Sequence, residues 1–283
     1  MLPIYKQNIT EVWSYNLIQA FKDIKDQIKN TSFVAFDSEF PGTLLPRTRE
    51  IDEWTYINAT VPYTNPIQFG LSFYGEFGSK IIPINTWQIN FKFNEDTDKA
   101  NPEGIEFLKQ HGFDFNRHKH EGVSHEEFRK LLVDTGIFAS NNITWVTFYG
   151  NFDIAYLLKL CANRWFDDAQ SFLATVSEYF PSTIDVKVLI EKNYIRVRSK
   201  GLLKLASELR IEVNNNELAH HAGFDAQVNA KPLITEVLKD LCNTWRALIT
   251  MVLKDLCNYL GRNLNVKVLK DLYDKEKNLL RKC

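Results

Sequence analysis

The chain lacks zinc-ligand cysteine spacing, a membrane-length apolar run and a secretory leader. Its four cysteines, Cys161, Cys242, Cys257 and Cys283, make no C-x-x-C pair and no zinc-ligand spacing, so they read as free thiols. No apolar run approaches the roughly 18 residues of a membrane span, and no basic-then-apolar leader opens the chain. The expectation is a cytoplasmic and nuclear protein without a membrane partner, in which the N-x-[ST] matches at Asn8, Asn30, Asn58 and Asn142 are chance occurrences. A charge excess is missing too. With 34 basic and 35 acidic residues and a net charge of −1, the chain has no global pull on a polyanion. Any nucleic-acid contact must come from local patches or from bound cations.

What is present suits one large α/β domain with an appendage: 283 residues, 45% apolar and 24% charged, with no sign that disorder dominates. The spacing of Val12, Leu17, Phe21, Ile24 and Ile28 predicts an amphipathic helix from Thr10 to Lys29. Phe33 to Phe36 reads as a buried strand, and Ile67–Phe73 with Lys80–Phe91 as a hairpin turning at Gly75 to Ser79. Pro62 and Pro66 argue against helix between Ile51 and Gln68. A helix is expected from Ser124, where Ser124-His125-Glu126-Glu127 has capping-box spacing, to about Gly136. Then come a strand over Ile143–Tyr149, a helix from Phe152, helical material over Asp167–Tyr179, a short apolar stretch at Ile184–Ile190 and a helix over Gly201–Leu209. Strands alternating with helices imply a mixed sheet flanked by helices.

Three acidic clusters punctuate this order. Asp37 and Glu39 follow the apolar run of FVAFDSEF, and side chains two apart on a strand share a face. Two carboxylates so close repel, and one takes up a proton unless a cation lies between them. Hard divalent ions such as Mg²⁺ or Mn²⁺ prefer oxygen ligands. Asp153 sits in the first turn of a helix just after a strand, and Asp225 early in another helical stretch that begins near Gly223. Alone, Asp153 could simply cap its helix and Asp225 could favour a helix N-terminus. Four carboxylates together could hold a metal pair of the kind that hydrolyses phosphodiesters. His220, five residues before Asp225 in a non-helical segment, has a side chain suited to taking a proton from water; His221 competes for that role.

The set Asp-x-Glu, Asp and His-x-Ala-Gly-x-Asp resembles the histidine-bearing subgroup of the DEDD superfamily of 3′-to-5′ exonucleases. FVAFDSEFPG, NTWQINFKFN, GIEFLKQHGFDF, WVTFYGNFDIAYLLKL and HHAGFDA are similar, in the same order, to the poly(A)-specific deadenylase subunit of the Ccr-Not complex, over about Glu11 to Leu238. The resemblance implies a ribonuclease-H-like fold, two divalent metal ions (Mg²⁺ or Mn²⁺), and removal of 3′ adenylates from mRNA with release of AMP. Matched by position, Asp37, Glu39, Asp153 and Asp225 would be metal ligands and His220 the general base. The implied partners are poly(A) RNA, the Ccr-Not scaffold and a second nuclease subunit. The chain departs from the family at Tyr149-Gly150-Asn151-Phe152, where His-Ser-Gly-Tyr is usual. Two alternatives stay open: a catalytically weak docking module, and an exonuclease unselective between single-stranded RNA and DNA.

The division expected is an exonuclease domain over 1–240 and a helical C-terminal extension over 241–283. VLKDLCN at 237–243 and 252–258 and VLKDLYD at 268–274 repeat in this region, as a local duplication or a partner-docking surface. Arg196, Arg198, Lys200 and Lys204 form the best basic patch, or a solvated loop and helix start. His111, His118, His120 and His125 read as solvated, and Trp87 and Phe91 as core.

Overall fold

The computed structural model describes residues 9–188, apart from 47, 49, 78–79, 139 and 141, together with 202–204 and 220–229. Six strands form one mixed sheet: β1 (Ile9–Val12), β2 (Phe33–Glu39), β3 (Gln68–Phe77), β4 (Lys80–Asn90), β5 (Thr144–Thr147) and β6 (Thr183–Asp185), in the spatial order β1-β4-β3-β2-β5-β6. β2 is central, antiparallel to β3 and parallel to β5, and β6 closes the far edge parallel to β5. The parallel pairs need crossover connections, which the helices supply: α1 (Leu17–Ile28), α2 (Glu53–Thr60), α3 (Pro102–Gln110), α4 (Phe115–Glu121), α5 (His125–Asp134), α6 (Asn151–Ala162) and α7 (Ala169–Tyr179). A further helix spans 222–229. Among the described residues, no helix is long and apolar enough to cross a membrane.

The expected strand at Phe33, hairpin, α5, α6 and α7 are all present. Four expectations need correction. Residues 9–12 are not helix but a strand paired in parallel with β4. Asn16 stops the chain there, accepting from the Trp13 amide (2.8 Å) and donating to the Glu11 carbonyl (2.9 Å); only from Leu17 does the stripe Leu17, Ala20, Phe21 and Ile24 become helical and buried. The segment before the two prolines is helical, because Asp52 caps α2 by accepting from Thr55 N (3.0 Å), and Pro62 enters only the following 3-10 turn, Val61–Tyr63. The hairpin turn is tighter than expected, since Gly75 and Phe77 still pair with Ile82 and Lys80. Lastly, His118 and His125 are not solvated. His118 is buried with Nδ1 2.7 Å from the Phe91 carbonyl, and His125 stacks on Phe91 with Nε2 2.9 Å from the Pro66 carbonyl. Both reach back to backbone oxygens near the end of β4, and burial lowers both pKa values.

The core is strongly aromatic. Phe36, Phe69, Phe91 and Phe128 meet edge to face at centroid distances of 4.9–5.7 Å, the arrangement that ring quadrupoles favour. Trp87 and Phe91 are buried as expected, and Cys161 is a buried free thiol. Lys204 is exposed. Cys242, Cys257 and Cys283, the basic positions 196, 198 and 200, most of the 201–209 segment and the repeats from 237 lie outside the described residues.

Candidate active site

The site forms where β2 ends. Alternation puts Asp37 and Glu39 on one face and Phe36 and Ser38 on the other. On the second face Ser38 meets α6: its hydroxyl donates to Asp153 Oδ1, and its backbone amide donates to the same carboxylate. Phe40, one residue past the strand, stacks on Phe152 at 5.1 Å and tilts onto Tyr156 at 5.1 Å. The first turn of α6 is thus fastened to the end of β2, and Asp153 is 8% exposed.

The turn into α6 is strained and needs support. Tyr149 has φ +56°, a left-handed conformation costly for a bulky side chain. Asp185, the last residue of β6, accepts from Tyr149 N (3.1 Å) and Gly150 N (2.9 Å). It also accepts from Lys187 N (3.0 Å), Val188 N (3.2 Å) and, at 3.4 Å, Thr147 Oγ1. Gly150 itself is packed so closely that a Cβ there would lie 2.3 Å from Thr147 Cβ.

The 222–229 helix covers the other face. Gly70 pairs directly with Asp37, and a Cβ on it would lie 1.9 Å from the Ala222 carbonyl oxygen, so only glycine allows this approach. The free amides at the helix start are met by the sheet: Ala222 N donates to Gln68 Oε1 (2.7 Å) and Gly223 N to Gln88 Oε1 (3.2 Å). Gln68 is held in turn by Asn90 Oδ1 at 2.7 Å.

The adjacent histidines part company. His221 stacks on Phe113 (4.9 Å, 8°) and its Nε2 lies 3.0 Å from the His111 carbonyl. His220 takes a left-handed backbone, φ +67°, and its amide donates to Asp225 Oδ2 at 3.1 Å. Its ring turns toward the acids: one ligand atom each of Glu39, His220 and Asp225 lie within 4.8 Å of one another. All five expected site residues therefore meet in one place, and His220, not His221, faces the carboxylates.

The electrostatics are those of an uncompensated acidic nest. Burial first, then the charges of Asp153, Asp225 and Glu39, push Asp37 well above the usual carboxylate range. Burial, then Asp225 and Asp153, do the same to Glu39. Burial raises Asp153 to about 7 against the pull of its Ser38 hydrogen bonds, and raises Asp225 to about 7 against the His220 amide. Asn229, wholly buried one helical turn after Asp225, leans on Asp37 and lowers its pKa in part; neither Nδ2 nor Oδ1 of that amide has a hydrogen bond of ordinary geometry. Four hard oxygen donors that repel one another and a buried amide left over fit a cation with a preference for oxygen, Mg²⁺ or Mn²⁺.

Ser38, Gly70, Gln68, Gln88, Asn229 and Asp185 are the residues that reading the chain alone passes over. Gly70 inside an apolar strand and Asn229 four residues after Asp225 each carry a local signal. The glutamines and Asp185 carry none, because only the fold brings them to the site.

Comparison with known proteins places this geometry. A model of the CAF1 family ribonuclease matches residues 12–135. Poly(A) ribonuclease pop2 of Schizosaccharomyces pombe is 34% identical over 229 residues, covering 79% of this chain and 67% of that protein. A probable CCR4-associated factor 1 homolog 10 of Arabidopsis thaliana is 32% identical over 231 residues, covering 77% and 81%. Among solved structures, S. pombe Pop2p in its Mg²⁺ and Mn²⁺ bound form superposes with a TM-score of 0.71 at 32% identity over 81% of this chain and 91% of that one. Yeast CAF1 co-crystallised with the NOT1 MIF4G domain gives 0.67 at 26% identity over 87% and 92%. Exonuclease I, at 0.51 and 16% identity over 75% of this chain and 43% of that one, shares the fold alone. The sheet is accordingly ribonuclease-H-like.

Proposed function

Because this chain belongs to the CAF1 ribonuclease family, we propose that it is a metal-dependent 3′-to-5′ exoribonuclease that shortens poly(A) tails and releases AMP. One observation carries the reading: four carboxylates from β2, α6 and the 222–229 helix converge with the His220 ring at their edge. Asp37, Glu39, Asp153 and Asp225 would hold two divalent ions. Bound there, such a pair offsets the charge of the scissile phosphate and of the departing 3′-oxygen and makes water a better nucleophile.

The chain's own residues do the rest. His220 takes the proton from the attacking water, whose oxygen joins phosphorus as the P–O3′ bond breaks in line. Burial, His111 and His221 hold the His220 pKa below its ordinary value, so the imidazole is neutral at pH 7 and free to accept that proton. The strand left behind ends in a new 3′-hydroxyl, and the product is a nucleoside 5′-monophosphate. Ser38 and Asp185 keep Asp153 in place, and Gln68 and Gln88 keep Asp225 there. Preference for adenosine rests on membership of the family.

The test uses 5′-labelled RNA ending in a run of adenosines, with Mg²⁺ or chelator, beside Asp37→Ala. The expected result is shortening from the 3′ end that slows at the non-adenosine body and vanishes in both controls. Metal-independent shortening, or full activity in Asp37→Ala, refutes the mechanism; no shortening with all five residues intact leaves the docking-module reading. The likeness to CAF1 co-crystallised with a NOT1 MIF4G domain supports a Ccr-Not scaffold as partner; a second nuclease subunit is proposed on membership of the family alone. Co-purification of a tagged chain tests both, and imaging of the same chain tests residence in cytoplasm and nucleus.

A further inference from the structure

The exposed face of α3 bears a feature that the cleavage reading leaves unused. α3 buries Ile105 and Leu108 in a cluster with Phe93, Phe113 and Phe115, yet Phe107 on the same helix is 42% exposed. A lone exposed phenylalanine is ordinary on a protein surface. This one is held in place at the rim of the site. His111, whose Nδ1 lies 2.7 Å from the Phe107 carbonyl oxygen, tilts its ring onto the Phe107 ring at 4.2 Å and 39°. The His220 ring meets Phe107 edge-on at 4.9 Å and 77°, and His111 at 4.4 Å. His220 in turn lies within 4.8 Å of the Glu39 and Asp225 carboxylates. A single side chain, His220, therefore links the exposed ring to the acids.

From this we infer that Phe107, backed by His111, is a stacking shelf for the last nucleobase of the strand being cut. The inference rests on the nuclease reading above. A base offers a π-face whatever its identity, and an aromatic ring already fixed by its neighbours loses little freedom on stacking. Purines overlap such a ring more than pyrimidines do, so the shelf favours strands ending in adenine or guanine over those ending in uracil or cytosine without reading a hydrogen-bond pattern. Binding, not proton transfer, is its contribution.

The experiment compares the full-length protein with Phe107→Ala and Phe107→Tyr in Mg²⁺. A ten-adenosine RNA carries 2-aminopurine as its last base, with the final linkage a phosphorothioate to slow hydrolysis; a second strand carries the probe at the fifth position. The wild type and Phe107→Tyr should quench the terminal probe more than the internal one, and Phe107→Ala should lose that difference. On ordinary poly(A), KM should rise about five-fold or more in Phe107→Ala with kcat nearly unchanged. A strand ending in an abasic nucleotide should be cut equally by wild type and Phe107→Ala. Equal terminal quenching in Phe107→Ala, or a loss of kcat/KM on the abasic strand as large as that on poly(A), overturns the shelf and makes Phe107 a support for His220. A wild type that quenches the terminal probe but shortens no RNA refutes the nuclease reading and leaves the shelf standing.

Discussion

At the residue scale the two neighbouring histidines separate function from support. His221 spends its ring on Phe113 and the His111 carbonyl; His220 alone stands beside Glu39 and Asp225. Replacing His220 by alanine should lower kcat by about 10²–10⁴-fold, the usual worth of a general base, while Mn²⁺ affinity by titration calorimetry changes little; a large loss of affinity recasts His220 as a ligand. Asp225→Asn should show the opposite order, losing Mn²⁺ first. The raised acids also fix a pH dependence. Asp153 and Asp225 move from 3.8 in the unfolded chain to about 7 in the fold without a cation, so their contribution to stability is full below about 3.8 and is lost as pH rises through about 7. A cation displaces those protons and binds better as they leave. The rise in Tm caused by Mn²⁺ should therefore be larger at pH 8 than at pH 6 and small at both in Asp225→Asn, as thermal denaturation would show. A gain independent of pH contradicts the assignment. Asp37, Glu39, Asp153, Asp225 and His220 were legible because carboxylates and imidazole advertise their chemistry by type. Ser38 and Gln68 were not, since a serine or glutamine acquires its role only from what folds against it.

At the element scale, two joints decide whether those residues meet. The first is the seat of the 222–229 helix on β3. Gly70→Ala places a methyl 1.9 Å from the Ala222 oxygen, and neither the central strand nor the helix backbone can yield without moving Asp225 or Asp37. A displacement of about 1 Å in such a site costs roughly 10²-fold in rate, so Gly70→Ala should lose activity on that order while retaining its circular dichroism spectrum. Unchanged activity would mean that the helix does not deliver Asp225. The second joint is the turn into α6. Asp185→Ala takes the carboxylate acceptor from the part-buried Gly150 amide, a loss of about 1–3 kcal/mol for a buried donor. The variant should unfold at lower denaturant and turn over more slowly, with Asp185→Asn recovering part of both, because an amide oxygen can still accept. Element types were readable where apolar period and breakers agreed, as in β2, the β3–β4 hairpin and α6. They misled at residues 10–16 and 53–60. There Asn16 and Asp52 set the boundaries through side-chain bonds to the backbone, and a hydrophobic stripe does not record those.

At the scale of the whole molecule, the mixed sheet follows from the order of its parts: β2 between an antiparallel hairpin and a parallel crossover is the arrangement that places two acids, a helix start and a second helix at one end. The alternation of strands and helices along the chain was enough to expect it. The order β1-β4-β3-β2-β5-β6 was not readable, since β1 joins β4 by a register that nothing local encodes. With a net charge of −1, the molecule as a whole does not attract RNA, so strand binding should weaken sharply when Mg²⁺ is removed. The five site residues all fall between positions 37 and 225, and the supports described for them end at Asn229. If the repeats from 237 form a docking segment apart from the nuclease domain, a chain truncated after residue 240 should keep kcat and KM on poly(A) within about two-fold and keep the Mn²⁺-dependent rise in Tm, while losing a partner that the full chain retains in co-purification. If truncation instead lowers Tm and kcat together, the repeats belong to the domain itself, because a segment that only docks a partner has no surface whose loss would loosen the acids of β2 and α6.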